Sequence, residues 1–150
     1  MTLISENKIE IAYPADFEEI TAVWEASVRA THHFLTEADI IFFRPLILHE
    51  YLKAVDLFCV KNTEGKIEGF LGTLDDKIEM LFLHPSARGK GIGKKLIEFA
   101  IHNFKIKKVD VNEQNQQAVG FYQHIGFKVV SRWEVDSLGK PYPILSMELK

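Results

Sequence analysis

Three glycines stand within five residues at Gly89–Gly93, directly after the apolar run Met80–Leu83 and a turn marked by Pro85. This order predicts a buried strand, a turn, and a glycine-rich loop that opens a helix. Glycines leave backbone N–H groups uncovered, and the positive end of the helix dipole points at the same place. Four cations accompany the loop with no acid among them: Arg88, Lys90, Lys94 and Lys95. The stretch therefore predicts a loop that binds an anion such as a phosphate group.

Two common phosphate loops do not fit this spacing. A Walker loop needs a glycine where Arg88 stands and a hydroxyl residue where Lys95 stands. A dinucleotide-binding loop needs two residues between its second and third glycines, but only Ile92 separates Gly91 from Gly93. The remaining pattern is Arg-x-x-Gly-x-Gly, and on its own it is also compatible with a simple tight connection between a strand and a helix.

A second motif follows the loop. The strand-like stretch Asp110–Asn112 leads to Asn115, Tyr122 and Gly126. Asn115 is a predicted helix N-cap, because its side-chain oxygen can accept an orphan N–H of the first turn. Gly126 is the predicted C-terminal cap of the same helix, in the left-handed conformation. Taken alone, Tyr122 is most simply a core aromatic residue with a hydrated hydroxyl group.

The two motifs, in this order, resemble the acyl-CoA site of the GNAT superfamily of acetyl-CoA-dependent N-acetyltransferases, and the resemblance covers essentially the whole chain. It implies one α/β domain over residues 1–150, with a mixed sheet, the order β-α-α-β-β-β-α-β-α-β-β and splayed central strands. Acetyl-CoA is the implied co-substrate, its pantetheine arm pairing with the strand before the loop. The implied cofactor-binding residues are Leu81, Phe82, Leu83, Arg88, Gly89, Lys90, Gly91, Ile92, Gly93, Lys94, Asn115 and Tyr122.

Hydrophobic periodicity predicts the same succession of elements. A strand is predicted over 8–13 and a helix capped by Asp16 over 16–30, whereas 31–43 is predicted to be loop or broken helix and 45–55 to be helical. The remaining predicted elements are strands over 57–61, 66–74, 77–84, 107–112, 128–135 and 143–149, and helices over 91–105 and 115–125.

Transfer of an acetyl group from a thioester to an amine requires a neutral amine, a stabilised oxyanion and a proton for the leaving thiolate. The resemblance implies that Tyr122 is the general acid, and it leaves the oxyanion donor open between the amides of Leu81 and Phe82. The general base is open between Asp110, beside the acyl group, and Glu79, which would act through water. Asp110 is equally well a solvated acid at a strand end, and a chain of waters can replace both carboxylates.

The acceptor site is expected where the first helical region ends, at His32-His33-Phe34. These side chains either line the amine pocket or are helix-terminal histidines that meet carbonyl groups and solvent. No further His or carboxylate stands at metal-ligand spacing, so no metal is expected. The segment 134–143 is predicted to be a hairpin arm, whose acids keep it soluble or attract a cationic amine.

Length and composition fit this interpretation. The chain has 150 residues, of which 47% are hydrophobic and 26% charged, as is ordinary for one globular domain. A net charge of −3 argues against a nucleic-acid partner. Cys59 stands alone in an apolar stretch and is predicted to be a small buried hydrophobe. No signal-peptide pattern or membrane-length apolar run is present, so a cytoplasmic protein without a membrane partner is expected.

The predicted function is therefore acetyl transfer to a primary amine: a small amine, an amino acid or a protein lysine. The enzyme is expected to be a monomer or a homodimer. A non-catalytic CoA-binding regulatory domain of the same fold is the alternative, and the presence of Tyr122 and Asn115 argues against it.

Overall fold

Helices and strands alternate along the part of the chain that the computed structural model describes, residues 8–149. Residues 1–7 and Lys150, which the predicted domain 1–150 also includes, lie outside the described residues. The strands are β1 (Ile9–Ile11), β2 (Asp56–Lys61), β3 (Ile67–Leu74), β4 (Lys77–Leu83), β5 (Lys108–Asn112), β6 (Phe127–Trp133) and β7 (Ile144–Leu149). The α-helices are α1 (Phe17–Thr31), α2 (Glu37–Leu46), α3 (Ile92–Phe104) and α4 (Gln116–Ile125). Among these described helices, none has the length and apolar character needed to cross a membrane.

The seven described strands form one sheet in the order β1-β2-β3-β4-β5-β7-β6. Neighbouring strands are antiparallel except β4 and β5, which are parallel and are connected through α3. One apolar core lies between the sheet and α3 with α4, and a second lies between the sheet and α1 with α2. Cys59 is buried in the second core, as predicted. This mixed arrangement confirms the predicted fold class.

The strands β4 and β5 separate soon after they meet. The paired residues are Lys77 with Lys108 and Ile78 with Val109. A bulge lies at the same point, because the register between β4 and β3 skips Glu79. A bulge bends and twists its strand, so the bulge at Glu79 turns the rest of β4 away from β5. The predicted splaying of the central strands is confirmed.

The region after α1 is a broken helix, one of the two alternatives predicted for 31–43. The structure ends α1 at Thr31 and begins α2 at Glu37. The Thr36 hydroxyl accepts from the Asp39 N–H at 3.1 Å, and the Asp39 carboxylate accepts from the Thr36 N–H at 3.0 Å. This reciprocal pair satisfies backbone donors that a helix start would otherwise leave unpaired. The signal is local and was present in the sequence.

The predicted helix over 45–55 is the continuation of α2 rather than a separate element. Pro45 lies inside α2, and a π-helical turn follows at Ile47–Tyr51 before a 3-10 turn at Leu52–Ala54. Proline lacks the N–H that an α-helix needs and crowds the preceding turn. The effect of Pro45 therefore falls on the turn before it, and the α-helical part of the region ends one residue later, at Leu46.

Predicted caps are confirmed at α4 but not at α1. The Asn115 side-chain oxygen accepts from the Ala118 N–H at 3.2 Å, and Gly126 ends α4 with a φ of 126°. Asp16 does not cap α1, because its carboxylate accepts from the Tyr13 N–H at 2.9 Å instead. Asp16 therefore stabilises the turn that precedes the helix.

Candidate active site

The space between the separating strands is a groove, which we call the cofactor groove after the residues predicted to bind there. It has a volume of about 570 Å³ and runs along β4, the glycine loop, β5 and the start of α4. Its lining includes Leu81, Phe82, Leu83, Arg88, Gly89, Gly91, Ile92, Gly93, Lys94, Asn115 and Tyr122. Of the predicted cofactor residues, Lys90 alone lies outside this lining, and its Nζ is 3.8 Å from Glu68 Oε2.

The glycine loop opens α3, as the sequence predicted. Gly89 and Gly91 have φ values of 77° and 78°, in the left-handed region that favours glycine. Gly91 is the N-cap residue of α3, so no side chain caps the first-turn N–H groups, and the first turn contains no acid. Arg88 lies beside the loop, its Nη1 3.4 Å from Gln117 Oε1 on α4. Uncapped N–H groups beside cations form a site suited to an anion.

Backbone groups of β4 also face the groove. The His84 N–H donates to the Glu68 carbonyl at 2.8 Å, across to β3. Hydrogen-bonded pairs recur at every second residue of an antiparallel ladder, so Phe82 also directs its N–H and C=O to β3. Leu81 and Leu83 direct theirs the other way, across the gap. An extended ligand in the gap can pair with these groups as an added strand does.

Tyr122 lies on α4 at the wall of the cofactor groove. Its side chain is buried, and its ring meets those of Phe121 and Phe127 edge-on, with centroids 5.1 and 5.5 Å away. Burial raises the pKa of Tyr122 well above its ordinary value. The hydroxyl therefore stays protonated at neutral pH, and it is chemically a proton donor rather than a base. The residue is both a core aromatic and a groove residue.

A second cavity, of about 490 Å³, opens on the side of the sheet that α1 and α2 cover, and we call it the acceptor cavity. Its walls are mostly apolar, with Trp24, Phe43, Ile47, Tyr51, Leu74 and Leu138 among them. Its acids are Glu79 and Asp136, and no Lys or Arg belongs to its lining within residues 8–149. Five residues line both cavities: His32, Glu79, Met80, Phe82 and Asn112. The two cavities therefore meet at the bulge of β4.

The arm between β6 and β7, residues 134–143, contributes to the wall of the acceptor cavity and contacts α2 through polar side chains. The Tyr142 hydroxyl donates to the Asp39 carboxylate. Lys140 Nζ lies 3.4 Å from the same carboxylate and 4.8 Å from the ring centroid of Phe42. Hydrogen bonds, first that from Tyr142, lower the pKa of Asp39 to about 2. The arm itself was predicted, but this long-range contact was not, because no local pattern connects the two segments.

The two predicted bases have different surroundings. Asp110 accepts from Lys77 Nζ at 2.6 Å and from Ser146 Oγ at 3.0 Å, so both of its oxygens are engaged. Glu79 lies 4.0 Å from the same Lys77 and is otherwise open to both cavities. Glu79 is therefore the acid with more freedom to exchange a proton with a bound amine.

The three residues predicted to bind the acceptor amine have different positions relative to the two cavities. His32 is 9% exposed and lines both cavities, with Nδ1 2.8 Å from Thr31 Oγ1 and Nε2 3.4 Å from Asn115 Nδ2. His33 is exposed and belongs to neither lining. Phe34 also lies outside both linings, but its ring packs on His32 with centroids 5.3 Å apart.

The sequence did not predict which residues of the helical region after α1 line the acceptor cavity. Phe43, Ile47 and Tyr51 line the cavity from α2 and the π-helical turn, and Thr31 lines the cofactor groove. The capping pair at Thr36 signals the start of α2, but it does not specify which face of the helix covers the sheet. The irregular turns after Pro45 also rotate the later side chains away from a regular helical pattern.

A family model described as an acetyltransferase (GNAT) domain matches residues 43–139 of the chain. A peptidyl-lysine N-acetyltransferase, YjaB of Salmonella typhimurium, is 42% identical over 130 residues, which cover 87% of this chain and 89% of that protein. The chain belongs to the GNAT acetyltransferase family. The predicted family is confirmed, and with it the class of enzyme, an acyl-CoA-dependent N-acetyltransferase.

Solved structures agree with this assignment. The solution structure of apo-form YjaB from Escherichia coli superimposes with a TM-score of 0.85 at 38% identity, covering 94% of this chain and 95% of that one. The PaiA N-acetyltransferase of Thermoplasma acidophilum, solved in complex with coenzyme A, gives a TM-score of 0.74 at 23% identity. The comparison covers 95% of this chain and 98% of PaiA, and at that identity it shows the shared fold alone.

The environment of His32 predicts a pH dependence of stability. Burial, then the charges of Arg88 and His33, lower the pKa of His32 from 6.5 to about 4. As the pH falls, the unfolded chain therefore takes up the proton before the folded protein does. The contribution of neutral His32 to the free energy of unfolding is complete above about pH 6.5 and is lost toward about pH 4. Urea unfolding at a series of pH values measures this contribution. Between neutral pH and about pH 4.5, the free energy of unfolding of the wild type should fall by about 2 kcal/mol more than that of His32→Phe.

The matched control is His102→Phe, since His102 is exposed on α3. This variant should follow the wild-type pH profile. Equal slopes for wild type and His32→Phe would show that His32 is not buried as a neutral ring.

Proposed function

We propose that the protein transfers the acetyl group of acetyl-CoA to lysine side chains of proteins or peptides. The observation that carries this proposal is the meeting of an anion-suited groove with an apolar, acid-bearing cavity at five shared residues. The relative at 42% identity is named a peptidyl-lysine N-acetyltransferase, which supports the same acceptor class.

The composition of the acceptor cavity favours a side-chain amine over a free amino acid. A free amino acid brings a carboxylate close to its amine, and the described lining of the cavity contains no Lys or Arg to pair with it. A lysine side chain brings an apolar stem, which suits the apolar walls, and a cationic head, which suits Glu79 and Asp136.

The cofactor groove offers a matching set of contacts for acetyl-CoA. The uncapped N–H groups after Gly91, with Arg88 and Lys94 nearby, suit the pyrophosphate. The backbone groups of Leu83 and the carbonyl group of Leu81 suit the amides of the pantetheine arm. Seated in this way, the thioester would lie near the junction of the two cavities.

Glu79 at the junction and two residues of the cofactor groove, Leu81 and Tyr122, each carry one part of the reaction. Glu79 receives a proton from the incoming ammonium, directly or through water, which leaves a neutral amine able to attack. The Leu81 N–H stabilises the oxyanion, because the Phe82 N–H is already directed to β3. As the tetrahedral intermediate collapses, its C–S bond breaks and the Tyr122 hydroxyl gives its proton to the departing thiolate. The amine nitrogen loses its second proton in the same collapse, and that proton passes through water to restore the Tyr122 hydroxyl.

Acceptor preference gives the first test. With acetyl-CoA, the enzyme should acetylate a lysine whose α-amine and carboxyl group are blocked in a peptide at least tenfold faster, in kcat/KM, than free lysine. A tenfold preference corresponds to about 1.4 kcal/mol. Mass spectrometry of the peptide should locate the acetyl group on Nζ. A preference for free lysine or another free amino acid would contradict the proposed acceptor class.

The same assay separates the two acids. Glu79→Gln should lower kcat/KM for the blocked peptide by roughly a hundredfold or more, because a general base typically contributes about 10²-fold to 10⁴-fold. Asp110→Asn is the matched variant and should lower kcat/KM much less, since the Asp110 carboxylate already accepts hydrogen bonds from Lys77 and Ser146. The reverse order would make Asp110 the base.

Removal of the Tyr122 hydroxyl tests the proposed acid. Tyr122→Phe should lower kcat by roughly a hundredfold, with little change in the affinity for acetyl-CoA, because the hydroxyl acts on the leaving group. Tyr13→Phe, an exposed residue outside both cavities, is the control and should keep the wild-type rate. Wild-type turnover in Tyr122→Phe would remove Tyr122 from the mechanism.

A further inference from the structure

A chain of four hydrogen-bond contacts joins the end of α1 to the start of α4. The Thr31 hydroxyl donates to the Ser27 carbonyl at 2.8 Å, and His32 Nδ1 lies 2.8 Å from the Thr31 hydroxyl oxygen. His32 Nε2 lies 3.4 Å from Asn115 Nδ2, and the Asn115 oxygen accepts from the Ala118 N–H at 3.2 Å. We call this chain of contacts the α1–α4 link.

Donors and acceptors along the link assign the proton on His32. A hydroxyl has one hydrogen, and Thr31 donates it to Ser27, so Thr31 can only accept from His32. His32 Nδ1 therefore carries a hydrogen. The Asn115 oxygen is identified by the backbone N–H that it accepts, so the Asn115 nitrogen faces His32 and donates. His32 Nε2 is therefore the acceptor and carries no hydrogen.

The link requires a neutral imidazole. A proton on Nε2 would set two donors against each other at Asn115 and break the contact. His32 is buried, and burial together with the charge of Arg88 lowers its pKa, which favours the same neutral form. A ring that resists protonation is a poor acceptor for the proton of an amine, so the geometry does not make His32 a base.

The link restricts the Asn115 amide at the wall of the cofactor groove. The amide has two N–H donors and an oxygen with two lone pairs. His32 takes one donor and the Ala118 N–H takes one lone pair. One N–H and one lone pair remain for a ligand in the groove, which Asn115 lines. Two opposed contacts fix the plane of the amide, so the directions of these remaining groups are fixed as well.

We propose that His32 is a positioning residue whose Nδ1-protonated ring orients the Asn115 amide for acetyl-CoA and connects the acceptor cavity to the cofactor groove. The proposal rests on the proposed function, since it takes the groove to be the acetyl-CoA site. His32 lines both cavities, so a lysine peptide that contacts the ring also affects the orientation of the Asn115 amide. Coupling of this kind is reciprocal, so CoA should tighten peptide binding by the factor by which the peptide tightens CoA binding.

The ring of His32 can be observed directly in the whole protein. Long-range proton–nitrogen NMR spectra distinguish the two neutral tautomers of histidine from each other and from the charged ring. At neutral pH, His32 should show a neutral ring with the proton on Nδ1, and His32→Phe identifies its signals by their disappearance. A charged ring, or a proton on Nε2, would overturn the proposal without any need for a functional assay.

Variants of Thr31 test the effect on the groove. Thr31→Val keeps the shape of the side chain but removes the acceptor for Nδ1, so the His32 proton should redistribute toward Nε2. The Kd for CoA, measured by calorimetry, should rise about tenfold, as expected for one or two lost hydrogen bonds. Thr31→Ser keeps the hydroxyl and should restore both the tautomer and the Kd. His102→Phe is a control outside both cavities.

The outcomes separate this proposal from the proposed function. If wild type binds CoA and acetylates peptides, while Thr31→Val has a shifted tautomer and an unchanged Kd, the positioning role is overturned and the proposed function stands. If wild type does not bind CoA, both are overturned. A raised Kd in Thr31→Val that Thr31→Ser does not restore would indicate a packing effect, and it too would overturn the proposal.

Discussion

The separation of β4 from β5 is the constraint on which the whole site depends. Paired strands leave no room between them, so a groove in the middle of a sheet requires that the pairing stop. The bulge at Glu79 turns β4 away after two residue pairs. Backbone groups of Leu81 and Leu83 then face a gap. Backbone groups that face an open gap can bond to water or to a ligand, and an extended ligand with amide groups offers them matching partners. The same bulge projects Glu79 at the point where the two cavities meet.

The two cavities differ in charge in a way that suits two different ligands. The cofactor groove has uncapped helix N–H groups with Arg88 and Lys94, whereas the acceptor cavity has Glu79 and Asp136 within apolar walls. An anionic ligand and a cationic one are thereby directed to two different cavities that adjoin at the bulge of β4. The α1–α4 link lies along their common wall, so it is placed to make the sites respond to each other.

The sequence predicted the parts of the site that local backbone chemistry determines. Gly89 and Gly91 take up the left-handed conformations that the loop requires, and Asn115 caps α4, because each depends on its near neighbours. The acceptor cavity was much less predictable. Tyr142 reaches Asp39 across more than a hundred residues, a contact that no local pattern encodes. His32 and His33 are adjacent and chemically identical in the sequence, and only the packing of α1 decides that His32 is buried and His33 exposed.

The central claim is that the groove between β4 and β5 binds acetyl-CoA. Thermal melts of wild type, Gly91→Glu and Gly65→Glu with CoA, acetyl-CoA or ATP test it most directly. Gly65 is a matched control, because its φ of 81° is close to the 78° of Gly91 and its surroundings are equally open, while it lies in the turn between β2 and β3. At a hundred times Kd, a ligand adds about 2.7 kcal/mol, a shift of several degrees. Both CoA species, but not ATP, should stabilise wild type and Gly65→Glu but not Gly91→Glu. An equal shift in Gly91→Glu, or none in wild type, would contradict the assignment.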